Sequence, residues 1–431
     1  DLVRSRGLGD VYKRQEKAML YVGMRRGGYS YYALDISDST KPSLDFIISN
    51  TADDAVTAGY SQLGQTWSPP VIGKMNLSGV NDDKAVMIFG GGYDTNQDDN
   101  NPSTKGNMVY IADAYTGAKL WTSAEVQGVT LPVPDGADAR TGDVTSMSSV
   151  PAQITAFDLS GDGYIDHFYA SDTKAQVFRF DVNNAGSNSS IVGGRIASLQ
   201  GTGTDYNNRR FYYPTDVSKI NLSSGNFLSV SVGSGFRAHP LDTDIDDHFY
   251  MIKDKGVLDG NGVFDIDLTV DQLTNVTNRL GDSNSDGTSD AQAEIENDGD
   301  LGWYITFSNS GEKVIEKSIT FNNAVIFTTY TPESAANSCS AVAGKSRIYG
   351  MRISDGNPFV DIDDIDNLEA SDRYQDLVAP GIAPAPKVII ETTSSGVENS
   401  LCIGLQCNLS DFLPDTSKGI LGYQWKNAKD E

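Results

Sequence analysis

Residues 158–181 read DLSGDGYIDHFYASDTKAQVFRFD, an oxygen-rich loop followed by two apolar segments with a short polar break between them. Both apolar segments, HFYAS and QVFRFD, contain the aromatic and aliphatic residues that favour pleated sheet. The break between them, DTKA, has the polar composition of a tight turn. The stretch therefore predicts two antiparallel strands joined by a turn, with candidate ligands in the loop before the first strand.

The strand–break–strand pattern recurs along the chain. Its other instances are MLYVGMRRGGYSYYALDIS (19–37), AVMIFGGGYD with MVYIADAYTGAKLW (85–121), FLSVSVGSGFRAHP with DDHFYMIKD (227–254), and AVIFTTYTP with SRIYGMRISDG (324–356). Each instance ends near an aspartate, and these are Asp35, Asp113, Asp181, Asp254 and Asp355. Successive aspartates lie 68 to 101 residues apart, more than the ~40–50 residues of a four-stranded propeller blade. Insertions are therefore expected between the strands.

This recurrence predicts an all-β protein, a β-propeller of about seven blades that is modified, N-terminally truncated and interrupted by long loops. An array of β-sandwiches is the alternative, since it would show similar strands without radial closure. The polar segments 94–107, 123–147 and 183–209 are predicted to be surface loops. Helical periodicity is nearly absent, and 270–280 is the best short helical candidate.

The charge balance restricts the classes of partner. The 431 residues contain 33 Lys plus Arg and 58 Asp plus Glu, for a formal net charge of −25. Sequence-independent binding of nucleic acid needs a basic surface, so this charge balance argues against a nucleic-acid partner. An anionic membrane surface is disfavoured for the same reason. No run of ~18 apolar residues predicts a membrane span, and no secretory signal peptide is recognisable.

Cysteine and histidine are scarce. The three cysteines, Cys339, Cys402 and Cys407, and the three histidines, His167, His239 and His248, show no zinc-ligand spacing. Cys402 and Cys407 could close a short disulfide in an oxidising compartment, or all three cysteines could be buried thiols.

Three segments are expected along the chain. Residues 1–15, DLVRSRGLGDVYKRQ, contain four basic and two acidic side chains, opposite in sign to the remainder, and resemble a translated assembly scar. We expect them to be foreign to the protein. Residues 16–390 are expected to form the propeller, and 391–431 a C-terminal extension of uncertain fold. A strand begins almost at once after residue 16, so the chain is expected to be the C-terminal part of a longer protein.

Two acidic loops are the strongest candidates for a functional site. The candidate ligands are Asp158, Ser160, Asp162, Tyr164 and Asp166 in the first loop, and Asp282, Asn284, Asp286, Thr288 and Asp290 in the second. Both loops place oxygen side chains at positions 1, 3, 5 and 9, a glycine at position 6 and a usable carbonyl at position 7. Calcium takes about six to eight oxygen ligands, which alternate residues of a tightly wound loop can supply. Both loops are therefore predicted to bind calcium.

The two calcium loops differ in quality. The second uses good ligands throughout, whereas Ser160 is a weaker donor than Asp or Asn and predicts lower affinity in the first. Neither has the glutamate at position 12 of a full EF-hand, so Asp166 and Asp290 would have to close the sites. The alternative for each loop is an Asp-Gly turn with solvated carboxylates. The other acidic runs, 242–247 and 361–376, are interpreted as solvated faces.

Signals for catalysis are weak. No GxSxG, HExxH or P-loop motif occurs, and the three histidines have no recognisable nucleophile partner. His167 and His248 each follow an aspartate and precede Phe-Tyr, which indicates packing or surface positions. The sequence predicts a protein that is not an enzyme.

The stretches 158–181, 233–254 (GSGFRAHPLDTDIDDHFYMIKD) and 302–307 (GWYITF), with the module at 327–356, resemble the C-terminal β-propeller of the PilY family. These are large calcium-binding tip and biogenesis proteins of bacterial type IV pili, and the resemblance covers roughly 19–388. It implies an exported protein of the pilus tip, outer surface or periplasm. Its implied partners are minor pilins or a tip complex, with a host or surface ligand. Calcium would then regulate pilus extension and retraction, adhesion and twitching motility.

Two other functions stay open. Residues 109–121, VYIADAYTGAKLW, resemble a blade motif of pyrroloquinoline-quinone dehydrogenases, whose propellers also bind calcium. The adjacent cysteine pair of many such enzymes is missing here. A carbohydrate-binding surface propeller stabilised by calcium is the third interpretation.

Overall fold

The structure, a computed structural model, consists mainly of antiparallel β-strands and the loops that connect them. The described residues are 17–50, 58–77, 85–126, 147–184, 190–201, 208–222, 225–258, 267–280, 288–333, 342–359, 368–393, 396–407, Leu409, Phe412 and Leu413.

The first two sheets come from the N-terminal third of the chain. The first sheet has the order β1-β2-β3, with β1 (Met19–Gly23), β2 (Ser30–Asp35) and β3 (Ser43–Ser49). The second has the order β4-β5-β6-β7, with β4 (Val71–Lys74), β5 (Ala85–Gly90), β6 (Val109–Asp113) and β7 (Lys119–Thr122). Successive strands pair with their sequence neighbours, as in meanders.

The third and fourth sheets each gain one strand from further along the chain. The third has the order β15-β11-β10-β9-β8, with β8 (Thr155–Phe157), β9 (His167–Ser171), β10 (Gln176–Asn183), β11 (Ser190–Ser198) and β15 (Leu268–Thr269). The fourth has the order β12-β13-β14-β17-β16, with β12 (Asp216–Leu222), β13 (Gly225–Gly233), β14 (His248–Asp254), β16 (Thr274–Asn275) and β17 (Gly302–Thr306). The added strands β15 and β16 pair in parallel.

The C-terminal part contains one more sheet and a hairpin. The fifth sheet has the order β18-β19-β20-β21, with β18 (Ile319–Phe321), β19 (Ala324–Thr331), β20 (Lys345–Arg352) and β21 (Tyr374–Asp376). The hairpin pairs β22 (Lys387–Thr393) with β23 (Gly396–Cys402). The boundary expected at residue 390 therefore lies inside β22.

One α-helix, α1 (Asp290–Asn297), interrupts the strands of the described chain. The Ser289 side chain accepts a hydrogen bond from the Gln292 backbone N–H, an ordinary N-cap. The helix buries Ala291 and Ile295. The helical candidate at 270–280 was wrong, because only Val270–Gln272 form a 3₁₀ turn and short strands flank it.

Among the described residues, five hydrophobic cores join the sheets and the C-terminal hairpin in series. Between the third and fourth sheets, for example, Tyr169 and Val177 pack with Val230 and Tyr250. The neighbouring residue Phe249 points the other way and packs with Phe327 of the fifth sheet, ring centroids 3.8 Å apart. Because side chains alternate across a strand, each central sheet buries both faces. This is why its strands, such as β14, read as continuous apolar runs.

Loops of sheets that are not neighbours in this series also meet. The Arg26 guanidinium donates to the Ala238 carbonyl at 3.3 Å, and that of Arg210 to the Gln97 carbonyl at 3.1 Å. Such contacts are expected where sheets are arranged around an axis rather than stacked in a line. The predicted fold class, an all-β propeller, is confirmed. The expected number of about seven blades stays a prediction.

Candidate metal site

The first predicted calcium loop joins β8 to β9 in the third sheet. Phe157 and His167 form the last pair of the ladder, and the Asp166 backbone N–H donates to the Phe157 carbonyl at 3.1 Å. Ile165 is buried in the core between the second and third sheets, and its N–H donates to the Lys74 carbonyl at 2.8 Å. The C-terminal arm of the loop is therefore fixed to two blades.

The Asp158 carboxylate organises the turn of this loop. Its Oδ1 accepts from the Gly161 N–H at 2.6 Å and its Oδ2 from the Gly163 N–H at 2.6 Å. The two glycines have φ of +80° and +91°, in the left-handed region that favours glycine. The Ser160 hydroxyl also donates to Asp158, at 3.2 Å.

The Asp166 carboxylate closes the loop from its other end. Its Oδ2 accepts the backbone N–H groups of Leu159 and Ser160, both at 2.9 Å. Asp162, at the exposed tip, accepts from the Tyr164 N–H at 2.9 Å. Because of the turn glycines and these hydrogen bonds, the loop bends sharply and its two ends lie close together.

Three carboxylates converge as a result. One oxygen from each of Asp158, Asp162 and Asp166 lies within 4.8 Å of the other two. Hard oxygen donors at this spacing fit a calcium ion, whose oxygen ligands lie about 2.3–2.6 Å away. Partial burial, the largest single effect, raises the pKa of Asp158, but hydrogen bonds from Gly163 and Gly161 outweigh it and lower that pKa overall. The lowered pKa favours the ionised form of Asp158, although two other carboxylates lie nearby.

The other predicted ligands of this loop, Ser160 and Tyr164, lie beside the carboxylates without adding a charge. Ser160 is exposed and Tyr164 half-buried. The structure therefore brings together the three acidic members of the predicted set. Whether Ser160 and Tyr164 contribute ligands stays a prediction.

Most of the second predicted loop lies outside the described residues. This applies to Asp282, Asn284 and Asp286. Thr288 precedes the N-cap of α1, and Asp290 is its first residue. The Ser289 hydroxyl donates to Asp355 at 2.8 Å, which ties this end of the loop to the end of the fifth-sheet repeat.

Sequence reasoning missed a buried ionic network behind the first loop. Arg179 of β10 is fully buried and pairs with Asp181 at 3.2 Å and Asp254 at 2.7 Å. His167 Nδ1 lies 2.8 Å from Asp181 Oδ1. An arginine between Phe178 and Phe180 in an apolar strand was the available signal, because a charge buried there requires a partner.

The segment 94–107 was also misjudged as a surface loop. Its first residues form a short 3₁₀ helix, Thr95–Asp99, and Asp94 and Gln97 are buried. The Gln97 amide donates to Thr173 of the third sheet at 2.7 Å, while Asp98 pairs with Arg26 of the first sheet at 2.7 Å. The segment therefore joins loops of several sheets.

The packing position predicted for His248 agrees with its surroundings. His248 is buried and its ring stacks on Tyr304 with centroids 5.1 Å apart. Burial lowers the pKa of His248 to about 4, so it is neutral at physiological pH.

Fold and loop together define an all-β propeller that carries a three-carboxylate turn in one of its blades. Among solved structures, the chain is similar to the C-terminal domain of Pseudomonas aeruginosa PilY1, with 18% sequence identity, a TM-score of 0.58, and coverage of 91% of this chain and 79% of that one. The chain therefore has the fold of that domain, as its sequence motifs predicted.

Two further likenesses are much weaker. BamB from Moraxella catarrhalis has 12% identity and a TM-score of 0.28, over 78% of this chain and 65% of that one. A europium-containing methanol dehydrogenase has 11% identity and a TM-score of 0.29, over 89% and 80%. Neither carries an argument about this chain. No protein-family model matches the sequence, and no curated protein does.

Proposed function

We propose that this chain is the calcium-binding β-propeller of a type IV pilus assembly or tip adhesin protein. The observation that carries the proposal is the convergence of Asp158, Asp162 and Asp166 within 4.8 Å, in a blade loop of a PilY1-like fold. The family resemblance of the motifs supports the pilus association. Minor pilins or a tip complex are the proposed partners, with a host or surface ligand.

Calcium fits the loop for reasons of charge and shape. Three like charges close together repel one another until a cation bridges them. Calcium accepts irregular sets of oxygen ligands, whereas magnesium demands a smaller and near-octahedral shell and keeps its waters. When bound, calcium would neutralise the three carboxylates and hold the exposed tip at Asp162 against the two anchored ends.

The anchored ends connect the loop to the blades. Ile165 is packed between the second and third sheets, and His167, two residues on, pairs with Asp181 of β10. Ordering the loop would therefore stiffen the hairpin β8–β9. In a pilus-associated protein, this gives calcium a way to regulate extension and retraction, and with them adhesion and twitching motility.

We also propose that the protein is exported and that its role is not enzymatic, and the disulfide supports the first of these two points. Cys402 and Cys407 form a disulfide, a bond that persists in oxidising compartments. The helices in the described part of the chain are too short or too polar for any of them to cross a bilayer. We propose localisation at the pilus tip, outer surface or periplasm.

The test is calcium titration by calorimetry combined with thermal unfolding in calcium and in chelator. Binding to the native state alone would add ~2.7 kcal/mol at a hundredfold excess of calcium over Kd. Asp162→Ala should abolish the contribution of the first loop, Asp286→Ala that of the second, and the double variant the whole effect. Asp244→Ala, at an exposed acidic residue outside both loops, is the matched control.

Two outcomes separate the parts of the proposal. An unfolding midpoint that calcium does not move, in the parent chain and in both variants, would refute calcium binding. Surface pili that persist at normal number and retract normally after gene deletion would refute the pilus role even if calcium binds.

A further inference from the structure

A cluster of aromatic and charged side chains lies where loops of the first, second and fourth sheets meet, away from the calcium loop. Four rings there form a small core of their own: Trp67, Tyr93, Tyr212 and Phe236. Their neighbouring centroids are 5.3 to 6.2 Å apart. All four are at most 9% exposed, so their faces are turned inward.

Guanidinium groups lie on these rings. Arg25 and Arg26 lie 5.1 and 5.7 Å from the Trp67 centroid, and Arg210 lies 3.8 Å from that of Phe236. Cation–π contacts of this kind hold a long side chain in place. A guanidinium fixed in advance loses less conformational entropy when it binds a ligand.

Not all of these cations are used within the protein. Arg26 forms a two-pronged pair with Asp98, at 2.7 and 2.9 Å, and His239 Nε2 lies 3.0 Å from the same carboxylate. Within the described part of the chain, by contrast, the exposed Arg25 guanidinium forms no close ion pair and no hydrogen bond. The side chain of Arg237 donates one described hydrogen bond, from Nε to the Tyr213 hydroxyl at 3.2 Å. We call Arg25, Arg26, Arg237 and His239 the arginine patch.

Arg25 and Arg237 act on the same carboxyl group. Burial raises the pKa of Glu316, while Arg237, the Tyr213 hydroxyl and Arg25 favour its ionised form. Two guanidinium groups therefore act electrostatically on one carboxylate, while Asp98 and Asp242 line the neighbouring cavity. In a chain of net charge −25, the grouping of Arg25, Arg26 and Arg237 in one loop region is a distinct feature.

The backbone at Arg25 is strained. Its φ is +50°, in the left-handed region that a residue other than glycine occupies at a cost. The strained turn places the guanidinium over Trp67. A cavity of about 380 Å³ opens beside the patch, lined in part by Asn100, His239, Leu241 and Asp242.

We propose that the arginine patch binds a carboxylate-bearing peptide segment of a partner protein. The planar guanidinium offers paired donors that match a carboxylate, and Arg25 and Arg237 have donors to spare. An acidic sugar is the less suitable ligand, because the four rings are buried and offer it no open face for stacking. The cavity beside His239 and the exposed Leu241 would accept an apolar neighbour of the acidic residue.

The experiment measures fluorescence anisotropy of a labelled eight-residue Glu-Gly peptide added to the full chain, with the Gln-Gly peptide as the neutral probe. The variant is Arg25→Gln/Arg237→Gln. Arg279→Gln/Lys345→Gln removes the same charge from exposed pairs elsewhere and is the matched control. We expect saturable binding of the acidic peptide, at least tenfold weaker in the patch variant and unchanged in the control.

Three results would overturn the proposal: equal binding of both peptides, an equal loss in the control, or patch-dependent binding of tetragalacturonate at least as tight as that of the acidic peptide. Circular dichroism checks that the variants fold. If the double variant fails to fold, the single change Arg25→Gln keeps the test decisive, because that side chain is exposed and gives up no described hydrogen bond.

Discussion

Arg179 and Asp254 form an ion pair at 2.7 Å with both side chains completely buried. Arg179 lies on β10 of the third sheet and Asp254 ends β14 of the fourth, so the pair joins two neighbouring blades. The Tyr169 hydroxyl donates to the second oxygen of Asp254 at 2.8 Å. One carboxylate thus satisfies a buried cation and a buried hydroxyl.

Removing this carboxylate should be among the most damaging single changes. Asp254→Ala would remove the shorter of the two described ion pairs of Arg179 and would take the hydrogen-bond acceptor from the Tyr169 hydroxyl. Breaking a buried pair on one side costs roughly 3–5 kcal/mol, which denaturant unfolding would measure. Glu125→Ala, which breaks the exposed pair with Lys119, should cost at most about 1 kcal/mol. Similar costs for the two variants would contradict the assigned role of the pair.

The turn of the calcium loop should depend on its glycines. A Cβ at Gly163 would meet nothing within 4 Å, so Gly163→Ala is costly through its φ of +91° alone. We expect a loss of about 1 kcal/mol in unfolding free energy and weaker calcium binding, because the 2.6 Å bond from Gly163 to Asp158 would be disturbed. Gly27→Ala, without a positive φ, is the control and should change neither quantity appreciably.

Stability should fall as pH rises through the range where Asp247 titrates. Asp247 is buried, so the interpretation of 242–247 as a solvated face was wrong at this residue. Burial raises the pKa of Asp247 to about 6, against the opposing effects of Ser234 and Lys313. Between about pH 4 and 6 the folded state therefore holds a proton that the unfolded state releases. The unfolding free energy declines as pH rises through this window and levels off above it, with about 3 kcal/mol assigned to this residue.

Asp247→Asn isolates this contribution. In chelator, so that the calcium loops do not interfere, the parent chain should lose stability between pH 4 and 6.5 relative to the variant. Parallel stability curves for the two proteins would show that Asp247 does not titrate in this window.

The contact between loops of the first and second sheets should tolerate no side chain at Gly92. Its φ is +95°, and an added Cβ would lie 2.1 Å from the Gln65 carbonyl oxygen. The Gly92 N–H donates to Val150, so the backbone cannot move away without losing that bond. We expect Gly92→Ala to cost more than 2 kcal/mol by denaturant unfolding. A cost like that of Gly163→Ala would show that the backbone has room to shift.

The recurring strands and the metal loop could be predicted from the sequence, but features that depend on contacts between distant residues could not. Strands such as β10 and β14 were recognisable because burial on both faces requires apolar runs, and the metal loop because its spacing is local. The buried position of Gln97 was not recognisable, since a polar segment that joins several sheets has the composition of a surface loop. Nor could the sequence pair Arg179 with Asp254, 75 residues away. Such pairs become visible only when the order of the sheets is known.

The disulfide should hold the end of the hairpin β22–β23 in place. Cys402 is bonded to Cys407 five residues later, and Leu401 and Ile403 beside it pack in the core with the fifth sheet. Closing so short a loop stabilises the folded chain by about 2 kcal/mol in the loop-entropy estimate. Dithiothreitol should therefore speed amide hydrogen exchange across 387–407. The variant Cys402→Ala/Cys407→Ala should exchange quickly from the start and not respond to dithiothreitol, since Cys339 has no disulfide partner left. Slow exchange in this variant would mean that the apolar contacts of Leu401 and Ile403 hold the hairpin without the bond.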